Sequence, residues 1–322
     1  MHQVHLYFAA LLLTACTWPV TVSAVYTLVD TFAGPSFFSG FNFFTRSDPT
    51  HGFVRYLSQN DAQSQGLISS SGSSAYMGVD SKNQAPNGRA SVRIESKKLY
   101  QRGLFILDLA HMPASTCAGT WPAFWSFGPE KTWPANGEIV DIIEGVHTNT
   151  VNAMSLHTSD GCSIDGNGML GKVVTKNCFI NAVGQSGNAG CGIESSLSTS
   201  FGTPFNQAAG GVYAMEWTSS FIKMWYFPRN AIPVDVSSNS PDPGKWGTLQ
   251  ANFAGACNFD QHFVNHQIIL DTTFCGDWAG AVWDSNPTCK ALAANCNDYV
   301  AKNPAAFAES YWRFNSLRVF RQ

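Results

Sequence analysis

Apolar and polar residues alternate with a period of two along most of this chain, and that period leaves little room for any architecture but sheets. Alternating segments run from Phe53 to Leu57, Arg89 to Glu95, Gly103 to His111, Gly137 to Glu144, Val151 to Thr158, Gly211 to Trp217, Phe221 to Phe227, Phe263 to Asp271 and Tyr311 to Phe320. In Ser91-Val92-Arg93-Ile94-Glu95 the apolar residues take one parity and the polar ones the other, as a half-buried antiparallel strand requires. Helical spacing is scarce, and its best example is Asp298 to Ala308. With 28 Gly, 15 Pro and 13% aromatic residues, the composition suits many short strands joined by turns. Asp160 to Phe205, rich in Gly, Asn and Ser and holding three cysteines, reads as a long disulfide-tied loop of the kind that borders a binding cleft.

Residues 1–24 read as an export signal: Leu6 to Leu13 is a short apolar run, and Val22-Ser23-Ala24 offers a small-residue cleavage site. The mature chain, 25–322, is then expected to be one extracellular domain and a monomer. No later apolar run reaches the ~18 residues needed to cross a bilayer, so no membrane partner is expected. Nor is nucleic acid, because a net charge of -3 with only 13% charged residues provides no basic face for phosphates. Past the signal stand eight cysteines, an even number that favours up to four disulfides over metal binding in an exported chain, with Cys289 and Cys296 a locally plausible pair. Neither a metal nor a cofactor is expected. Gly166 to Lys172 imitates a phosphate loop but ends in Val173 where Ser or Thr is required, and His262 and His266 lack the Glu of a zinc-protease motif.

The densest polar signal sits inside an apolar strand, Gly137-Glu138-Ile139-Val140-Asp141-Ile142-Ile143-Glu144. Three carboxylates among β-branched aliphatics are costly if the strand is central and partly dehydrated. A solvated strand face would tolerate them by accident. A glycosidase would require them, one carboxyl attacking the sugar and another, with raised pKa, protonating the departing oxygen.

Several further segments accompany that strand: Asp48-Pro49-Thr50-His51-Gly52, Ser91 to Glu95, His111-Met112-Pro113, Gly119-Thr120-Trp121-Pro122-Ala123-Phe124-Trp125 and Tyr311-Trp312-Arg313-Phe314. With these the chain resembles glycoside hydrolase family 16, in particular its fungal laminarinase-like endo-1,3(4)-β-glucanases. The resemblance implies an all-β fold, a β-jelly-roll sandwich of two curved antiparallel sheets whose concave face holds an extended β-glucan. It implies retaining hydrolysis of 1,3- or mixed 1,3/1,4-linked glucan. The family motif is Glu-x-Asp-x-x-Glu, which makes Glu138 the nucleophile, Asp141 its assistant and Glu144 the acid/base. The same resemblance places Trp121 and Trp125 in the cleft as sugar-stacking residues and His157 near the acid/base, and Trp133 and Trp278 are further aromatic candidates for binding. A glucan-binding protein with impaired hydrolysis and a cell-wall transglycosylase are the alternatives.

One residue breaks the motif. Glu138 stands three positions before Asp141 instead of two, and on a regular strand that parity turns it away from the cleft. The spacing of Asp141 and Glu144 already implies one β-bulge. A second bulge at Ile139-Val140 is expected to return Glu138 to the cleft; without it, Ile139 takes the nucleophile's place.

Overall fold

The computed structural model describes residues 26–128, 134 and 137–322. Two eight-stranded antiparallel sheets face each other, and the expected jelly-roll sandwich is the architecture found. The outer sheet runs, by strand, 251–253, 222–228, 211–217, 103–111, 311–321, 74–78 and 68–71, with 27–33 also paired to 311–321. The cleft sheet runs 172–173, 191–194, 153–157, 139–144, 120–127, 267–274, 93–96 and 41–43. A short parallel pair, Val54–Tyr56 and Arg89–Ser91, lies apart from both.

Alternation explains the layering. In Thr120–Phe127 the residues Trp121, Trp125 and Phe127 are half-buried, while Phe124 is buried in the core between the sheets. In the outer sheet Phe105, Leu107 and Leu109 join that same core, whereas Leu104 and Ile106 point outward into a second cluster around Trp225 and Trp246. Each such inward side chain contributes on the order of 1.5–3 kcal/mol by leaving water.

The sequence reading needs four corrections. The chain contains several short helices besides the one expected, which spans Cys296–Lys302 and then gives way to a 3-10 turn at Pro304–Phe307. Asp160 to Phe205 is not bare loop, for it includes Lys172–Val173, Cys191–Glu194 and the helix Gly202–Gln207. Phe263 to Asp271 becomes a strand only from Gln267. Cys289 and Cys296 are not partners: the four disulfides are Cys117–Cys289, Cys162–Cys257, Cys178–Cys191 and Cys275–Cys296. Two helices beginning at Pro287 and Cys296 hold the neighbouring cysteines toward different partners.

Candidate active site

Ile139–Glu144 is the central strand of the site, paired on one side with Ala153–His157 and on the other with Thr120–Phe127. Asp141 opposes Trp125 while Glu144 opposes Ala123, so three steps on one strand match two on its neighbour and Ile142 is the extra residue. This is the bulge that the Asp141–Glu144 spacing implied. It brings both carboxylates onto the same face although they are an odd number of residues apart.

Asp141 is almost fully buried and its Oδ2 accepts from Ser155 Oγ at 3.2 Å, with His157 Nε2 3.1 Å away. Glu144 Oε1 accepts from the Trp121 indole N–H at 2.9 Å. Burial first, then the Asp141 charge and, more weakly, the Asp271 charge push the Glu144 carboxyl well above the usual carboxylate range, against the lowering effect of the Trp121 bond. A carboxyl so held gives up its proton less readily than an ordinary one, the direction a general acid requires.

The aromatic floor is built from the next strand. Trp125 Nε1 donates to Asp271 Oδ2 at 3.2 Å, and the Arg93 guanidinium lies 5.0 Å from the Trp125 ring while pairing with Glu95 at 2.8 Å. Trp278 meets Trp121 edge to face at 5.7 Å. It is carried on the turn Gly276–Gly280, where Gly276 takes φ +62° and a Cβ would lie 2.4 Å from the Thr50 carbonyl, so only glycine fits. Trp133 lies outside the described residues. Asp141, Glu144, Trp121, Trp125 and His157 thus gather on one cleft face.

Glu138 does not join them, and the expected bulge at Ile139-Val140 is absent. Ile139 pairs with Phe127 and His157, Val140 with Ser126 and Leu156, and Asp141 with Trp125 and Ser155, an unbroken ladder. Counting back from Asp141, Ile139 is the cleft-facing residue, and Val140 is buried between the sheets. Glu138 turns away with Val140: it is 1% exposed, its Oε1 accepts from Ser159 Oγ at 2.9 Å and lies 3.2 Å from His262 Nδ1, and Oε2 has no partner among the described residues. The regular ladder keeps its hydrogen bonds, which a second bulge would forfeit.

Arg93 and Asp271 were not singled out as site residues from sequence. Asp271 carried the same signal as the acidic strand, a lone carboxylate in Gln267-Ile268-Ile269-Leu270-Asp271. Burial first, then the Asp48 and Glu95 charges, raise it to about 7 despite Arg93 and the Trp125 bond.

A family model described as an XgeA-like, catalytic GH16 domain matches residues 41–320. An endo-1,3(4)-β-glucanase of Arthroderma benhamiae is 47% identical over 304 residues, covering 93% of this chain and 66% of that protein. A probable endo-1,3(4)-β-glucanase of Aspergillus niger is 46% identical over 97% of this chain but only 42% of its own length, so this chain spans about two fifths to two thirds of such relatives. Among solved structures, laminarinase 16A of Phanerochaete chrysosporium superposes with TM-score 0.86 at 41% identity, covering 92% of this chain and all of that one. An elongating family 16 β-1,3-glucosyltransferase superposes with TM-score 0.84 at 42% identity and the same coverage. The fold, the cleft and the match across residues 41–320 together make this chain a member of glycoside hydrolase family 16.

Proposed function

We propose that the chain is a secreted glycoside hydrolase of the endo-1,3(4)-β-glucanase type that binds extended β-glucan across Trp121 and Trp125, and that its turnover is limited by Ile139 standing where the motif calls for a nucleophilic carboxyl. The observation that carries this is Glu144: its elevated pKa, the adjacent Asp141 and the Trp121 bond form a complete acid half of a glycosidase site. Relatives at 46–47% identity bear the endo-1,3(4)-β-glucanase name, and four disulfides suit an oxidising compartment. Retaining hydrolysis needs a second carboxyl roughly 5–5.5 Å from the acid, on the same face. Ile139 holds the cleft position two before Asp141 where the motif calls for that carboxyl. This observation favours a second reading, a glucan-binding protein without hydrolysis.

Purified protein incubated with laminarin and lichenan, assayed for reducing ends and for binding by tryptophan fluorescence, decides between them. Slow release that Glu144→Gln abolishes, with binding retained, supports the hydrolase. Binding without release gives the second reading. Products longer than the starting oligosaccharide mean that a sugar hydroxyl replaces water as acceptor. Failure to bind either glucan overturns the proposal.

A further inference from the structure

We propose that the outer sheet carries a second β-glucan site, centred on Tyr76 and Arg313 and separate from the cleft. Cross-strand pairing sets Ser69 opposite Tyr76, Tyr76 opposite Arg313 and Arg313 opposite His111, so four adjacent strands present one row of side chains. At 4.7–4.9 Å between strands the row is about 14 Å long. It faces away from the core, because Arg313 is exposed while its neighbours Trp312 and Phe314 are buried between the sheets. The cleft residues belong to the other sheet, so a ligand on this row does not enter the cleft.

The row is shaped as a platform. Gly78 follows Tyr76 on the same face, and a Cβ there would lie 2.3 Å from the Tyr76 hydroxyl and 2.7 Å from its ring. The missing side chain therefore lets the tyrosine lie down over the strand. Tyr311, opposite Gly78, packs against Tyr76 at 5.2 Å and stacks on His111 at 3.8 Å with the planes 5° apart, which fixes the rings in place. Beside them Gly66, Ser69, Ser71, Ser74, Tyr76 and Arg313 line an open groove of about 300 Å³. The Arg313 charge acts on both tyrosines.

This composition selects the ligand class. One aromatic body offers a surface to the apolar face of a sugar ring. Three serine hydroxyls and a guanidinium offer donors and acceptors for sugar hydroxyls. The groove has no aliphatic side chain that would suit a lipid or an apolar peptide. The identification of the sugar as β-glucan rests on the cleft reading above. A second contact on the same polymer raises the effective concentration of chain at the cleft, and so acts on long glucans while leaving short ones untouched.

The test compares polymer with oligosaccharide in the full chain. Tyr76→Ala and Arg313→Ala are expected to weaken sedimentation with insoluble 1,3-β-glucan roughly tenfold. Laminaritriose affinity, read from cleft tryptophan fluorescence, should stay unchanged, and Tyr76→Phe, which keeps the ring, should behave as the parent. The double variant Trp121→Ala/Trp125→Ala should retain residual polymer binding that adding Tyr76→Ala removes. Parent-like sedimentation of both Tyr76→Ala and Arg313→Ala, with oligosaccharide binding intact, overturns the second site alone. Absence of any glucan binding by the parent overturns both this site and the cleft reading.

Discussion

Replacing Trp121 by Phe isolates the one hydrogen bond that favours the ionised form of Glu144. The indole N–H lies 2.9 Å from Oε1 and is the sole lowering influence on a carboxyl that burial, Asp141 and Asp271 all raise. A hydrogen bond to a charged group is worth about 1.5–3 kcal/mol against about 0.5–1.5 for a neutral one. The difference, on the order of 1.4 kcal/mol, is one pKa unit. Trp121→Phe keeps an aromatic ring but loses the donor, so the Glu144 carboxyl should titrate about one unit higher. Asp141→Asn removes a neighbouring negative charge and should move Glu144 in the opposite direction. Both shifts are read from ¹³C titration of the Glu144 carboxyl, which requires no turnover. Where turnover is measurable, the alkaline limb of its pH profile should move up in the first variant and down in the second. An unchanged or lowered Glu144 in Trp121→Phe, or a raised one in Asp141→Asn, would refute this electrostatic account of the acid.

Two further predictions concern stability. Asp271 binds its proton more tightly when folded, at about 7 against an ordinary 3.8, so its contribution is present in full below about pH 4 and is lost as pH rises to about 7. At 1.36 kcal/mol per unit the ceiling is about 4 kcal/mol; Asp271→Asn should flatten urea midpoints across that window, and a slope equal to the parent's would count against it. Cys117–Cys289 closes a loop of 172 residues, and the chain-entropy argument puts its stabilisation at about 5 kcal/mol. Changing both cysteines to Ser should therefore lower the thermal midpoint by several degrees, whereas an unaltered midpoint would mean that the unfolded chain gains little freedom.

The strands were legible because alternation reports the faces of a strand whatever the partner strand is, while their assembly into a jelly-roll sandwich was implied by the family resemblance. The bulge at Ile142 was legible too, since two cleft carboxylates three residues apart cannot share a face without it. The placement of Glu138 was not. Carboxylate type and spacing suggested a second bulge, but the ladder on both sides of Ile139 and Val140 decides the register, and Val140 fills an interlayer slot beside Leu156. The disulfide pairing failed for a similar reason. Closeness in sequence made Cys289 and Cys296 look like partners, while Cys275–Cys296 and Cys117–Cys289 depend on how distant segments pack. Asp271 shows the opposite case, a signal present in the sequence and passed over because it stood alone.

The central claim is that Ile139, and not Glu138, faces the cleft beside Asp141 and Glu144. Laminarin turnover measured side by side for the parent, Glu138→Gln and Ile139→Glu tests it most directly. Ile139→Glu should raise turnover on the order of a hundredfold or more, the lower end of what a positioned catalytic group contributes, while Glu138→Gln should leave it as in the parent. A parent rate that Glu138→Gln abolishes, with no gain from Ile139→Glu, would place the nucleophile at Glu138 and contradict the register described.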